Sequence, residues 1–282
     1  MSLQEENVLS EQFDARVRPS PLASIGVYAV YLVSFLVSGA LFTQLLGDVD
    51  YDEIAANSSN FFDGVIIPIG AMAIIVAIMA TVLGWWRPAL FEQRRTPNWM
   101  LAVPIIFFIG IAVAIGTADL GEYDGGFLAL MLLGFAFVGF SEELATRGLI
   151  LVGFRAQFRE LYVWLFSTLL FSGMHSLNAF SGQDIQTTAI QVGSTFFTGS
   201  ILYLIRRTTG TLIVSMVAHA LFDFSVTVQS GPGSDINDTA GGNKRIILFI
   251  WAAGILRPIG HRHLSGRNAD SAEQLDTAPA SP

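Results

Sequence analysis

The chain is poor in charge and contains no cysteine. Charged residues make up 13% of its 282 residues, against about 25% in an average soluble domain. So few charges cannot cover the surface of a soluble protein of this size. Without cysteine there is no disulfide framework, no Cys-ligated zinc or iron–sulfur site and no Cys nucleophile.

Basic residues are few as well. Lys244 is the only lysine, and the net charge is −8. A chain of this kind lacks the basic surface that nucleic-acid binding requires, so no nucleic-acid partner is expected. Residues 1–18 are polar and of mixed charge, whereas a secretory signal peptide would be basic first and then apolar.

What the chain has instead is long apolar runs: 52% of its residues are hydrophobic. A helix needs about 17–25 apolar residues to cross roughly 30 Å of hydrocarbon. The alternation typical of a β-barrel is missing. We therefore predict an all-α, polytopic transmembrane helical bundle with about eight spans, the last of which is the shortest. The predicted segments are 20–47, 64–86, 98–118, 125–154, 161–180, 185–205, 211–229 and 246–256.

Loop charge predicts the orientation of these segments. With eight spans, 12 of the 15 basic residues fall on one side of the membrane and two on the other, and Arg147 lies within the fourth segment. Because basic residues favour the cytoplasmic side, both termini are predicted to be cytoplasmic. The expected organisation is a cytoplasmic polar tail over 1–19, a transmembrane domain over 20–259 and a disordered tail over 260–282.

Six ionisable side chains lie inside the predicted spans, where charge is costly and usually functional. They are Glu142, Glu143 and Arg147 in the fourth segment, His175 in the fifth, and His219 and Asp223 in the seventh. At ~1.5 Å per residue, Glu142, His175, His219 and Asp223 lie about 12–21 Å from the cytoplasmic ends of their segments. This common depth predicts one shared site.

Spacing separates the roles of these side chains. Glu143 and Arg147 are four residues apart, so they share a helix face and are expected to form a structural ion pair. Glu142 lies ~100° around the helix from Glu143 and has no basic partner on its own helix. A lone buried carboxyl of this kind can serve as a general acid or base. His219 and Asp223 are again four residues apart and can point at one spot.

Three ordered motifs carry a family resemblance. They are EExxxR at 142–147, FxxxH at 171–175 and HxxxD at 219–223, each in its own predicted span. With them, residues 125–230 resemble the CPBP family of intramembrane proteases, also known as the CAAX protease and bacteriocin-processing, or Abi, family. Eight spans agree with the topology of the family's prenyl-protein endopeptidases.

The resemblance implies a membrane-embedded endopeptidase whose site opens toward the cytoplasm. Glu142 with His175 would activate a water, His219 and Asp223 would stabilise the oxyanion, and Glu143 would support the fourth helix with Arg147. The implied substrate is a peptide or a membrane-associated protein, lipidated or not, cleaved near the cytoplasmic surface of the bilayer. Asp at the last motif position is common among prokaryotic members, which suggests a prokaryotic cell membrane.

The last motif position also reopens the question of a metal. The family's prenyl-protein endopeptidases carry Asn where this chain has Asp223, and an ionised Asp cannot donate to an oxyanion. It would have to be protonated or to orient His219. Glu142, His175, His219 and Asp223 also form a plausible zinc set. The chain lacks an HExxH pair and the resemblance favours a metal-free glutamate mechanism, so no cofactor is expected and zinc is the alternative.

Two other functions fit the same residues. Buried Glu, His and Asp side chains build the proton relays of coupled transporters, but such transporters usually carry inverted repeats, and no internal repeat is evident. A non-catalytic immunity or scaffold protein would use the motif residues for helix packing. The two alternatives predict, respectively, transport that depends on Glu142 and a silent Glu142→Gln substitution.

Overall fold

The computed structural model describes residues 15–47 and 53–231, and it shows a bundle of helices with no strand in those two ranges. Within these ranges seven helices form the bundle, and a short helix, Trp86–Leu90, lies between the second and third. The seven are α1 (Pro21–Leu46), α2 (Ser58–Leu83), α3 (Asn98–Thr117), α4 (Gly125–Phe154), α5 (Glu160–Met174), α6 (Ile185–Thr209) and α7 (Leu212–Ser230).

Six of these helices, all except α5, are long and apolar enough to cross a membrane. The predicted all-α transmembrane bundle is therefore confirmed. The fifth predicted segment, 161–180, is only partly α-helical, because α5 ends at Met174 and a 3₁₀ helix continues over His175–Ser181. The eighth predicted segment and the tail 260–282 lie outside the described residues, as does most of the tail 1–19. The span count and the position of the termini stay predictions.

Local signals set several helix boundaries. The Asp124 carboxylate accepts from the backbone N–H groups of Gly126 at 2.8 Å and Phe127 at 3.2 Å, which satisfies two free donors at the start of α4. Helix α6 ends at Thr209. The next residue, Gly210, has a φ of 84°, a value that only glycine readily adopts. Only Gly210 and Thr211 separate α6 from α7.

Helix α7 lies at the centre of the bundle. In its most apolar window 67% of the residues are buried, against 17% in α1, which is peripheral. Helix α7 packs most extensively on α4, and Gly139 of α4 makes the close approach possible. A Cβ at Gly139 would overlap the Met216 carbonyl oxygen and lie 3.1 Å from the Ala220 nitrogen. Small residues of this kind let helix backbones approach closely in membranes.

Helix α4 is not a regular α-helix throughout. A π-helical segment, Leu144–Ile150, follows directly after Glu142 and Glu143, and all seven of its residues are buried. Widened turns of this type are rare and are frequent at functional sites. Glu142 and Glu143 are the last residues of the regular α-helical part of α4, and Arg147 lies within the widened segment.

Candidate active site

Three helices bring their ionisable side chains to one point. Glu142 comes from α4, His175 from the end of α5 and His219 from α7. The Nε2 atoms of His175 and His219 both lie 3.9 Å from Glu142 Oε2. Asp223 joins them, with Oδ2 3.5 Å from His219 Nε2. The four residues predicted as catalytic therefore lie together, at the wall of a cavity of about 240 Å³.

The orientation of His175 is fixed by its own helix. Its Nδ1 lies 2.9 Å from the Phe171 carbonyl oxygen. A carbonyl oxygen only accepts hydrogen bonds, so Nδ1 carries the proton. In the neutral ring, Nε2 is then the free basic nitrogen, and this nitrogen faces Glu142.

His219 lies between three carboxyl groups. Its Nδ1 is 3.2 Å from Glu143 Oε1, and its Nε2 faces Glu142 and Asp223. Because carboxylates only accept, Nδ1–H donates to Glu143. Nε2 of the same ring is the nitrogen that faces the other two carboxyl groups.

Glu143 and Arg147 form a fully buried ion pair, with Arg147 Nη1 2.8 Å from Glu143 Oε1. Arg147 also donates to Thr146 Oγ1 at 3.0 Å and lies 3.6 Å above the centre of the Phe171 ring. The same ring contacts His219 edge-on, with 5.7 Å between ring centres. Phe171 of the FxxxH motif is thus a packing platform for both the arginine and the second histidine.

Gly199 of α6 provides the space that Arg147 occupies. A Cβ at this position would overlap Arg147 Nη2 and lie 2.9 Å from the Phe171 ring. The glycine therefore matches the site, although nothing in the sequence around it signals this role.

Glu142, which lines the cavity, has an unsatisfied acceptor, its Oε2 atom. Like Glu143 Oε2, this oxygen is buried and accepts no hydrogen bond from any residue that the structure describes. A buried carboxylate oxygen without a donor is costly, and this one faces the two histidines. It is therefore available to a water or a substrate in the cavity.

The cavity has two unlike walls. One is largely apolar and comes from α1, α4 and α7; the other is polar and comes from the 3₁₀ segment after α5 and from α6. The apolar wall includes Tyr31, Leu32, Phe35, Phe135, Val138 and Phe222, and the polar wall includes Asn178, Gln191, Ser194, Thr195 and Thr198.

Sequence reasoning missed both walls. The polar wall had a signal, because Gln191, Ser194, Thr195 and Thr198 recur at helical spacing inside a predicted span. Tyr31 had none, since one more aromatic residue in an apolar run is unremarkable by pattern alone, yet its side chain is buried beside the site.

A second buried polar cluster, which we call the Glu92 network, joins the ends of several helices. Glu92 accepts two hydrogen bonds from Arg155, at 2.9 and 3.0 Å, and lies 3.2 Å from Arg206 Nε. Arg155 also pairs with Glu160, and the Tyr203 hydroxyl donates to the same Glu160 oxygen. Arg155 and Arg206 are two of the 12 basic residues that the sequence assigns to one side of the membrane. In the structure both form ion pairs.

The electrostatics of Glu92 follow from its neighbours. Burial acts to raise the pKa of this carboxyl, but Arg155 and Arg206 outweigh burial and hold the pKa below its usual value. The network is therefore ionised over the whole neutral range, and it binds the segment after α2 to α4 and α6.

Within the described ranges, no group of three or more His, Asp or Glu side chains is arranged to hold a metal ion. The 3.9 Å separations in the site exceed the roughly 3.4 Å expected between tetrahedral zinc ligands. Cleavage assays with and without chelator test the zinc alternative directly.

Comparison with known families bears directly on this arrangement. Residues 124–225 match the family model described as type II CAAX prenyl endopeptidase Rce1-like. The resemblance to the CPBP family is confirmed. The match spans all three CPBP motifs and supports a CAAX-protease-like intramembrane peptidase, and with the six apolar helices it supports an integral, multi-pass membrane protein. No curated protein matches the chain.

Proposed function

We propose that this chain is an endopeptidase that uses a water activated by Glu142 and His175 to cleave a peptide bond near the cytoplasmic surface of the membrane. One observation carries the proposal. Two histidine nitrogens from different helices lie 3.9 Å from the same buried Glu142 oxygen, which has no donor of its own among the described residues.

The 3.9 Å gaps suit a bridging water. They are too long for direct hydrogen bonds, and a water between such groups can bond to both. The carboxylate of Glu142 and the free Nε2 of His175 both accept, so together they can take a proton from that water. The oxygen then attacks the scissile carbonyl carbon, and the proton taken from the water passes to the amine nitrogen as the C–N bond breaks, as general acid–base catalysis requires.

In this proposal His219 and Asp223 stabilise the charge that develops on the carbonyl oxygen. A proton on His219 Nε2 can be donated to this oxyanion, while Glu143 holds the other ring nitrogen at 3.2 Å. Asp223 contributes either by orienting His219 or, when protonated, as a donor itself.

The substrate class follows from the walls of the cavity and the family match. The polar wall can form hydrogen bonds with a peptide main chain, and the apolar wall can pack against a lipid or an apolar side chain. We therefore propose a peptide or a membrane-associated protein, prenylated or otherwise lipidated, as substrate. A prokaryotic cell membrane is the proposed location.

The test is Glu142→Gln in the purified protein. We expect loss of cleavage by at least 10²-fold, as for removal of a general base, on a panel of prenylated and unlipidated fluorogenic peptides. Glu122→Gln is the matched control, because Glu122 is exposed in the loop before α4. Each protein is assayed with and without chelator, and its metal content is measured.

The outcomes separate the mechanisms. Retained cleavage by the Glu142→Gln variant contradicts the glutamate mechanism. Cleavage that chelator removes and zinc restores replaces the metal-free mechanism with a metalloprotease. Equal absence of cleavage in the wild type and the variant, on peptides that span both lipid classes, contradicts the assignment as a peptidase.

A further inference from the structure

Two amide side chains on the polar wall of the cavity are paired with each other. Asn178 Nδ2 donates to Gln191 Oε1 at 2.9 Å, and both residues line the cavity that contains Glu142. Asn178 belongs to the 3₁₀ segment after α5, and Gln191 belongs to α6. The pair therefore bridges the two elements of the polar wall.

Once Asn178 and Gln191 are paired, one donor group and one acceptor of the two amides take no part in the hydrogen bond between them. Asn178 keeps its carbonyl oxygen and Gln191 keeps its NH₂ group, since each amide carries one acceptor and one NH₂. If both amides rotate by 180°, the roles exchange, but one donor and one acceptor remain. A peptide group offers the complement, a carbonyl that accepts and an N–H that donates.

The neighbouring hydroxyls keep this wall polar. Ser194 and Thr195 both donate to the Gln191 backbone carbonyl at 2.9 Å, which satisfies their protons within α6 and leaves their oxygens able to accept. Polar groups are expensive inside a membrane unless they have partners. A row of them on one side of a catalytic cavity therefore points to a polar ligand that lies along it.

The 3₁₀ geometry sets the distance from the amide pair to the site. Side chains three residues apart eclipse on a 3₁₀ helix, and the rise is about 2.0 Å per residue. Asn178 thus lies on the same side of the segment as His175 and about 6 Å along it. An extended peptide advances about 3.3 Å per residue, so this distance corresponds to about two substrate residues.

We infer that Asn178 and Gln191 bind one main-chain peptide group of the substrate, about two residues from the scissile bond. The substrate then lies extended along the polar wall of α6. Both residues are positioning residues, since they hold the substrate and take no part in proton transfer. This inference rests on the proposed peptidase function and names how that site recognises its substrate.

The test replaces single backbone amides of a cleavable panel peptide by esters, one position at a time. An ester lacks the N–H, and loss of one hydrogen bond lowers affinity about fivefold. In the wild type we expect KM to rise about fivefold for the ester about two residues from the scissile bond, with kcat little changed. In the Asn178→Ala/Gln191→Ala variant, KM for the unmodified peptide should be raised, and that ester should add nothing further.

Gln186→Ala is the control, because Gln186 lies on the exposed side of the same helix. It should reproduce the wild-type response to the ester series. A flat KM response of the wild type across all ester positions overturns the inference while the peptidase function stands. The ester scan of the wild type does not depend on folding of the double variant. A wild type that cleaves no panel peptide contradicts the proposed function, and this inference with it.

Discussion

At the scale of single residues, Glu143 has a larger part than its spacing from Arg147 indicates. Its Oε1 accepts from Arg147 at 2.8 Å and from His219 at 3.2 Å. One carboxylate oxygen therefore connects the buried arginine to a residue of the proposed oxyanion site. The sequence predicted the ion pair, but it could not show the contact with His219, which is 76 residues away along the chain.

Glu143→Gln should lower both stability and kcat. Arg147 would be left buried without a counter-ion, which costs about 3 kcal/mol, and His219 would lose the partner that orients it. The measurements are thermal unfolding in detergent and cleavage kinetics.

The double variant Glu143→Gln/Arg147→Met separates the two effects. Removing both charges of a buried pair is often close to neutral for stability, so the unfolding temperature should recover, while kcat stays low because His219 still lacks its carboxylate. Full recovery of kcat would contradict a positioning role for Glu143.

At the scale of helices, the regular segments could be predicted well from the sequence. Helix α4 has the predicted bounds, 125–154, because a long uncharged run and the Asp124 cap both mark it. Two features of the helices were not predicted from the sequence. The π segment Leu144–Ile150 depends on tertiary packing that no periodicity records, and the 3₁₀ segment that begins at His175 interrupts a stretch predicted as one continuous span.

The contact between α4 and α7 gives a prediction at this scale. Gly139→Ala should push the two helices apart, because its Cβ would overlap the Met216 carbonyl. We expect a loss of about 1–3 kcal/mol in stability, typical of overpacking, and at least a tenfold lower kcat, since His219 on α7 would move away from Glu142.

Gly110→Ala is the matched control for that contact. A Cβ at Gly110 on α3 meets nothing within 4 Å, and alanine favours helix by up to about 1 kcal/mol over glycine. Equal effects of the two substitutions on kcat would show that the spacing of α4 and α7 does not govern the site.

At the scale of the whole molecule, the Glu92 network joins parts of the chain that the sequence separates by more than a hundred residues. Arg155 and Arg206 were counted only as loop charges on the predicted cytoplasmic side, and composition cannot show that Arg206 is fully buried beside Glu92. Charge counting thus remains a basis for the predicted orientation, but it cannot say which charges are paired inside the protein.

The network makes stability dependent on pH. The pKa of Glu92 is lower in the folded protein than its usual value, so its stabilising effect is complete above the unfolded carboxyl pKa of about 4.3 and is lost as the pH falls through the folded value. Glu92→Gln should therefore lower the unfolding temperature at pH 7, by the equivalent of about 3 kcal/mol. The difference from wild type should shrink below about pH 4, as followed by circular dichroism in an acid-stable detergent. A difference that stays constant down to pH 2 would contradict an ionised Glu92.

The central position of α7 has a consequence for biogenesis. Chains are made from the N-terminus, and α7 is the last helix in the described part of the chain, yet it carries His219 and Asp223 into the middle of the bundle. The helices made earlier must leave a gap between α3, α4 and α6 until α7 arrives. The nascent protein therefore lacks two of the four proposed catalytic residues until α7 has been made, although α1 to α6 precede it in the chain.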